Sequence, residues 1–487
     1  MRHIELESAD RLEGLPQDYI DRHPPGPDGR IRITTDYPDY FPFMQYAADD
    51  AARLALYKAF MNRGWPANRE VLAQILAKRH ALARLLGYPS YAHLVTEDKM
   101  IRSPERAQAF INKVNTLAMA RAEQDYRILL ERLRRIDPGA TAVGDWQKMY
   151  LEEQVKRERY GLDAQVLRPY FAYARVRDGI FRLVEDLFAV EIRPWTPGPE
   201  DPPLWHPSVT AWEVVDGGRV LGRFYLDMHP REGKYKHAAH FTIQTGVAGR
   251  RLPMAALVCN FPDPEAGPAY LEHREVETFL HEFGHLLHGI FAGHQRWVAQ
   301  SGIATEWDFV EAPSQLLEEW IWDAESLRRF AVDDAGRPIP DALVERMNAA
   351  RRFGRGLFAR HQMFYAALSL NYHNRDPAQI DLDGLMIRLR AQYSPFPHVP
   401  GTHFYASFGH LVGYSALYYT YMWSLAIAQD MLSVFRDNGM LDRATALRYR
   451  KTVLEPGGSR DAEALVQDFL GRPFDFAAFA AWLNRED

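Results

Sequence analysis

The sequence predicts a mainly α-helical chain with one small β-sheet. Two long regions, 48–190 and 271–487, carry apolar residues at helical period. Between them lie four short runs rich in β-branched and aromatic residues, 211–215, 220–227, 237–244 and 253–261, separated by Gly and Pro. A proline-dense stretch, IRPWTPGPEDPPLWHP (192–207), precedes the strands. It reads as a linker or an extended crossing and sets the expected division: an N-terminal helical lobe, 1–191, and a second region, 192–487, with the sheet and the C-terminal helices.

Residues 1–45 are polar and Pro-rich, with RIRITTDYP as a short strand. A helical pattern from Ala48 to about Leu86 is interrupted near Gly64-Trp65-Pro66. Further amphipathic stretches run from Pro104 to Ile136, Asp145 to Tyr160 and Gln165 to Val190, with a turn at Asp137-Pro138-Gly139. The strand-like runs come directly before the helix at 280. An exposed edge strand there could hold an extended peptide by main-chain hydrogen bonds, or be plain scaffold. Helices resume from Leu271: Pro340 to about Leu370, Ala406 to Phe435, and one from Ser459 that Gly471 would stop.

Composition narrows the class. With 487 residues, 47% hydrophobic and 25% charged, the chain reads as globular, with room for two lobes. A net charge of −6 without long single-sign blocks gives no sign of nucleic-acid or membrane-surface binding. The one cysteine, Cys259, excludes an intrachain disulfide and fits a reducing compartment. The start, MRHIELESAD, lacks an apolar signal core, so a cytoplasmic location is expected. The most apolar long window, Tyr414–Met431, carries Ser, Thr, Gln and tyrosines, and reads as a buried helix, not a membrane span.

The chemistry-bearing stretch is LHEFGHLLHGIFAGH (280–294). His281 and His285, four apart, share a helix face and can reach one metal ion; Glu282 sits beside them, placed to act on a metal-bound water. Phe283, Leu287, Ile290 and Phe291 form the opposite, apolar stripe. With 18 His and 64 acids in 487 residues, H-[DE]-x-x-H arises by chance roughly 0.09 times, so it needs context. Catalytic zinc takes three protein ligands and keeps a position for water. Glu311, in TEWDFVEAPSQLLEEW (305–320), supplies the third: Asp308-x-x-Glu311 reads as a capping box opening a helix buried through Leu316, Leu317, Trp320 and Ile321. Gln315 and Glu318 follow on the same face as Glu311, and Glu318 reads either as a carboxylate that orients a ligand or as a plain surface or core-edge acid. His288 and Phe291 break the longer H-E-x-x-H-x-x-G-x-x-H pattern. His288 then reads as a supporting histidine and His294 as a surface residue. In HLVGYSALYYTYMW (410–423), Tyr414, Tyr418 and Tyr421 are spaced i, i+4, i+7, which predicts one helical face. Such a stripe is either core packing or a row of donors, and the pattern alone leaves both open.

FLHEFGHLLH (279–288) followed by DFVEAPSQ (308–315) resembles the M3 family of zinc metallopeptidases, the thimet oligopeptidase, neurolysin and oligopeptidase A group. EGLPQDYIDR (13–22), GRFYLDMHPREGKYKHAAHFTIQTG (222–246), ASFGHLVGYSALYYTYMW (406–423) and EPGGSRDAEALVQDFLGR (455–472) resemble that family too, in the same order. The resemblance implies a zincin-like helical metallopeptidase with a substrate cleft between two lobes, acting as an endopeptidase on short oligopeptides. It implies one Zn2+ per chain on His281, His285 and Glu311, with Glu282 as general base. It further implies that His410, Tyr414, Tyr418 and Tyr421 contact the substrate or the transition state, with Tyr418 and Tyr421 binding the oxyanion.

Two departures stand out. The loop Gly409–Gly413 is poorer in glycine than the family's and one residue shorter, which bears on how freely it adapts. The helical segment the family usually carries before the part matching EGLPQDYIDR is lacking, which implies a more open channel or a homo-oligomer in which a partner subunit fills the gap. Three rivals remain at this level: a peptidyl-dipeptidase of the same family, a metal-containing peptide-binding protein without turnover, and a structural protein with a chance motif. Manganese or cobalt in place of zinc is also compatible.

Overall fold

The computed structural model describes residues 2–265, 267 and 269–485. A hairpin, β1 (His3–Leu6) with β2 (Ile31–Thr34), opens the chain. Then come α1 (Asp50–Met61), α2 (Ala67–Leu85), α3 (Pro104–Arg134), α4 (Lys148–Tyr160) and α5 (Tyr173–Phe188). Strands β3 (Glu191–Pro194), β4 (Thr210–Asp216), β5 (Arg219–Asp227), β6 (Ala239–Gln244) and β7 (Met254–Val258) follow. The helices that follow include α6 (His273–Phe291), α7 (Glu311–Glu318), α8 (Arg355–His373), α9 (Leu382–Tyr393), α10 (Thr420–Asn438) and α11 (Ala462–Leu470). The expected mainly helical chain with a small sheet is what forms. No helix among the described residues is long and apolar enough to cross a membrane.

Several starts and stops follow from local chemistry. Asp49 caps α1 by accepting the Ala52 N–H, and Ser103 caps α3 just before Pro104. The break between α1 and α2 falls at Gly64, whose φ is +73° and whose absent Cβ would stand 2.6 Å from the Ala406 carbonyl oxygen. Several expected helices are shorter or more broken than their patterns. The 165–190 stretch is broken: a short α-helical turn, Ala164–Leu167, and a 3-10 turn, Arg168–Tyr170, come before the long helix that starts at Tyr173. The 340–370 stretch is two helices, Asp341–Arg352 and α8, parted at Gly354 with φ +83°. The last one begins at Ala462 rather than Ser459.

The chain divides into two compact units, neither continuous in sequence: Met1–Leu162 with Ala349–Tyr419 and Leu483–Asp487, and Asp163–Asn348 with Thr420–Trp482. The proline-dense stretch at 192–207 lies inside the second unit.

In the first unit, α3 and α8 cross closely: a Cβ on Gly356 would lie 2.3 Å from the Ala122 nitrogen. Arg360 of α8 donates to Asn115 of α3 at 2.9 Å. A fully enclosed carboxylate, Asp145, is met by Arg390 (2.5 Å), Lys148 (2.8 Å) and the Tyr57 hydroxyl (2.5 Å), so this buried charge is paired.

In the second unit the sheet order is β3-β4-β5-β7-β6, with β5 and β7 parallel and the other pairs antiparallel. β6 is therefore an edge. Phe181 of α5, Phe224 of β5 and Phe283 of α6 meet with ring centroids 5.6–6.1 Å apart, which fastens α6 to the sheet.

Candidate active site

Helix α6 starts with a reciprocal capping box, Glu272 with Glu275. Val276, Phe279, Leu280, Phe283, Leu287 and Ile290 bury one stripe. That burial fixes the rotation of the helix and turns His281, Glu282 and His285 to another side. Helix α7 comes up against α6 at Gly284. A Cβ there would lie 2.7 Å from the Ser314 Cα, so the two backbones could not approach as they do with a larger residue. The expected Asp308–Glu311 capping box does not form. The residue before α7, Val310, is itself helical (φ −54°, ψ −32°), so no extended cap residue exists for a side chain to close. Asp308 is instead buried, and its carbonyl accepts from Ser424 at 2.8 Å.

At this crossing, Glu311 Oε2 lies 3.2 Å from His281 Nε2 and 3.1 Å from His285 Nε2. One ligating atom from each of the three residues lies within 4.8 Å of the other two, and no other such group of three occurs among the described residues. Ligand atoms of a tetrahedral ion with bonds of ~2.0 Å stand about 3.3 Å apart, so the spacing fits zinc. His281 Nδ1 lies 2.6 Å from Glu318 Oε1, which can only accept, so Nδ1 carries the proton. Burial pushes the His281 imidazole down, but Glu311 and Glu318 outweigh it and hold it well above its usual value, so a positive charge, a proton or a metal ion, belongs between His281 Nε2 and Glu311 Oε2. Burial pushes the Glu311 carboxyl up, but the imidazoles of His285 and His281 outweigh it and hold it well below the usual carboxylate range. Its ionised form is the one a metal needs.

Glu282 is 8% exposed and bonds to none of these three. Burial raises its carboxyl above the usual range, against the pull of His281 and His285. The main-chain N–H of His240, the second residue of β6, faces it and draws it slightly down. Sequence reasoning missed that contact, because it is made by the backbone.

The turn before β6 is held by Lys234, which is buried and donates to the carbonyls of Asp227 (2.9 Å), His229 (2.7 Å) and Cys259 (2.5 Å). Asp227 pairs with Lys234 at 3.0 Å and with Arg231 at 2.7 and 2.8 Å, and accepts from Trp205 at 2.8 Å. Beneath β6 lies a cavity of about 200 Å³, walled by His240, Thr242 and Gln244 of β6 and by Gly289 and Ile290 of α6. On the other face Phe241 and Ile243 are 43% and 39% exposed.

His288 is fully buried, with neither ring nitrogen hydrogen-bonded, and burial pushes it down to about 3, so it is neutral packing and stands apart from the three-residue cluster. His294 is half-buried rather than a surface residue.

The tyrosines do not share one continuous helical face. A four-residue helical turn, His410–Gly413, ends before Ser415, whose φ is +44°, and α10 begins only at Thr420. His410, Tyr414 and Tyr418 gather in the first unit, the His410 ring 5.6 Å from Tyr414 and 4.9 Å from Tyr418. Tyr421 belongs to the second unit, where its carbonyl accepts from Gln315 of α7 at 3.1 Å.

Comparison with known proteins agrees with this architecture. A sequence profile of peptidase family M3 matches residues 43–484. Oligopeptidase A of Salmonella typhimurium is 31% identical over 461 residues, covering 90% of this chain and 67% of that protein. Dipeptidyl carboxypeptidase of Escherichia coli is 33% identical over 415 residues, covering 83% of this chain and 60% of that protein. Among solved structures, PZ peptidase A with a bound inhibitor superposes with a TM-score of 0.58 at 15% identity, over 92% of this chain and 71% of the other, a likeness of fold. Fold and relatives together define a peptidase. The chain belongs to peptidase family M3.

Proposed function

We propose that this peptidase is a zinc-dependent endopeptidase of short oligopeptides, with His281, His285 and Glu311 holding the metal. The observation that carries the reading is the meeting of Glu311 Oε2 with both imidazole Nε2 atoms, with Glu282 alongside and bonded to none of them. When bound, zinc lowers the pKa of its water towards ~7 and polarises a scissile carbonyl. Glu282 takes the proton of the attacking water and returns it to the leaving amine, and a raised carboxyl suits both transfers. Glu318 fixes the tautomer and direction of His281.

A peptide lying along the β6 edge would continue the sheet. Alternate side chains would then drop towards the cavity beneath β6. Tyr421 and Tyr418 donate to the developing oxyanion, and His410 and Tyr414 bind the peptide, as the family resemblance implies. A cytoplasmic location fits the single, buried Cys259.

Digestion of a long peptide with and without chelator, read by mass, tests this. Chelator-sensitive internal cuts are expected, and cleavage indifferent to chelator overturns the zinc assignment. A second reading, release of C-terminal dipeptides, is favoured by the 33% identity to dipeptidyl carboxypeptidase. It would give a dipeptide ladder in the same assay.

A further inference from the structure

The segment from Gly409 to Tyr418 is buried in its second half, Ser415–Tyr418, and largely open in its first. Leu411 is its one early apolar anchor, Val412 is 67% exposed, and Gly409 and Gly413 face open space. Yet its carbonyls are gripped from two helices of the same unit. Arg79, on α2, donates Nη1 to the Leu411 carbonyl and Nη2 to the Val412 carbonyl, both at 2.6 Å. These are charge-assisted bonds from a rigid fork, stronger than neutral ones.

The guanidinium is itself aimed. It lies over the Tyr91 ring at 5.2 Å, and Nη1 is 3.0 Å from His373 Nε2, on α8. His373 Nδ1 lies 2.8 Å from the Ser369 carbonyl, which can only accept. The proton therefore sits on Nδ1, and Nε2 is left to accept from Arg79. Burial, with the charge of Arg79, keeps this imidazole neutral.

One turn back on α8, the Ser369 hydroxyl donates to the Ser415 carbonyl at 2.5 Å and accepts the Tyr418 N–H at 3.4 Å. Ser415 is the residue with φ +44°, a conformation a serine adopts only when its surroundings impose it.

We propose that Arg79 is a positioning residue that, with His373 and Ser369 behind it, presets the His410–Tyr418 segment for peptide binding. The proposal rests on the reading in which that segment contacts the peptide. A segment held in one arrangement costs a peptide no ordering on arrival. It also admits fewer peptide shapes than a loose one. Freed, it would be competent only part of the time, and apparent affinity falls by that fraction.

The test compares full-length, zinc-loaded wild type with R79Q and R79K. It measures hydrogen exchange of residues 409–418, steady-state cleavage of a quenched peptide, and bound zinc. R79Q is expected to speed exchange in that segment and to raise KM roughly 5- to 10-fold with kcat within about 2-fold, zinc content unchanged. R79K, which keeps one charged donor, is expected to recover part of both effects. Unchanged exchange in R79Q overturns the proposal. So does faster exchange with unchanged KM, which would leave the peptidase reading intact because that rests on the metal cluster. If the wild type shows no chelator-sensitive cleavage, the peptidase reading fails by itself, and the exchange comparison still decides the clamp. Should R79Q not fold, S369A opens the other half of the clamp and is read in the same way.

Discussion

Glu282 and Glu311 are buried carboxylates on helices that touch, yet their surroundings push them in opposite directions. Glu311 meets two imidazoles and stays ionised. Glu282 faces one main-chain N–H and is raised by burial. E282Q should therefore lower kcat by roughly 10²–10⁴ while zinc, measured by elemental analysis, stays bound. E311Q should do the reverse first, raising the zinc dissociation constant before any change in fold, as a competing chelator would read. Gly284 has its own consequence. G284A places a methyl group 2.7 Å from the Ser314 Cα, so α6 and α7 must part. The expected cost is about 1–3 kcal/mol in thermal stability, with weaker zinc binding alongside. The pairing of His281 with His285 on one helix face was legible in four-residue spacing. Glu318 as partner of His281 was legible only once Glu311 was set on a helix. The approach of the His240 main-chain N–H to Glu282 left no trace in side-chain identities.

At the scale of elements, the turn that delivers β6 depends on Asp227. Burial raises its carboxyl, but Arg231, Trp205 and Lys234 together hold it well below the usual range. A lowered folded pKa contributes stability above the unfolded value near 3.9, which is lost as pH falls through the folded one. Wild type should accordingly lose stability below about pH 4, and D227N should show a flatter acid limb. At pH 7, D227N should cost about 3 kcal/mol in urea unfolding, because Lys234 is left buried without its counter-charge. Helices with an unbroken apolar stripe, such as α3 and α6, were legible. The parting at Gly354 and the late start of α10 were not, since the periodic pattern runs on through both places. At the second, Ser415 and its hold on Ser369 decide, and their positions are 46 residues apart.

For the molecule as a whole, each unit is assembled from separated stretches of chain. A fragment of 192–487 would hold α8 without α3, its principal neighbour, and expose Met363, Phe364 and Leu368, all buried in the whole chain. Such a fragment should not melt cooperatively by circular dichroism, and mixing it with 1–191 should restore a transition. Zinc should add to the stability of the intact chain by mass action, about 2.7 kcal/mol at a hundred times its dissociation constant. A chelator should lower the melting temperature and added zinc restore it. The discontinuity was not legible in composition, because the sharpest compositional break, at 192–207, falls within a unit rather than at its border.

That interleaving also sets a schedule for biosynthesis. The first stretch of one unit ends at Leu162, and the long stretch that complements it, Ala349–Tyr419, is finished only 257 residues later. At ribosomal speeds of about 5–20 residues per second, the early helices wait roughly 13–50 s for their mates. During that interval their greasy faces are on offer to any passing nascent chain, and holdase chaperones are the natural guardians of the gap.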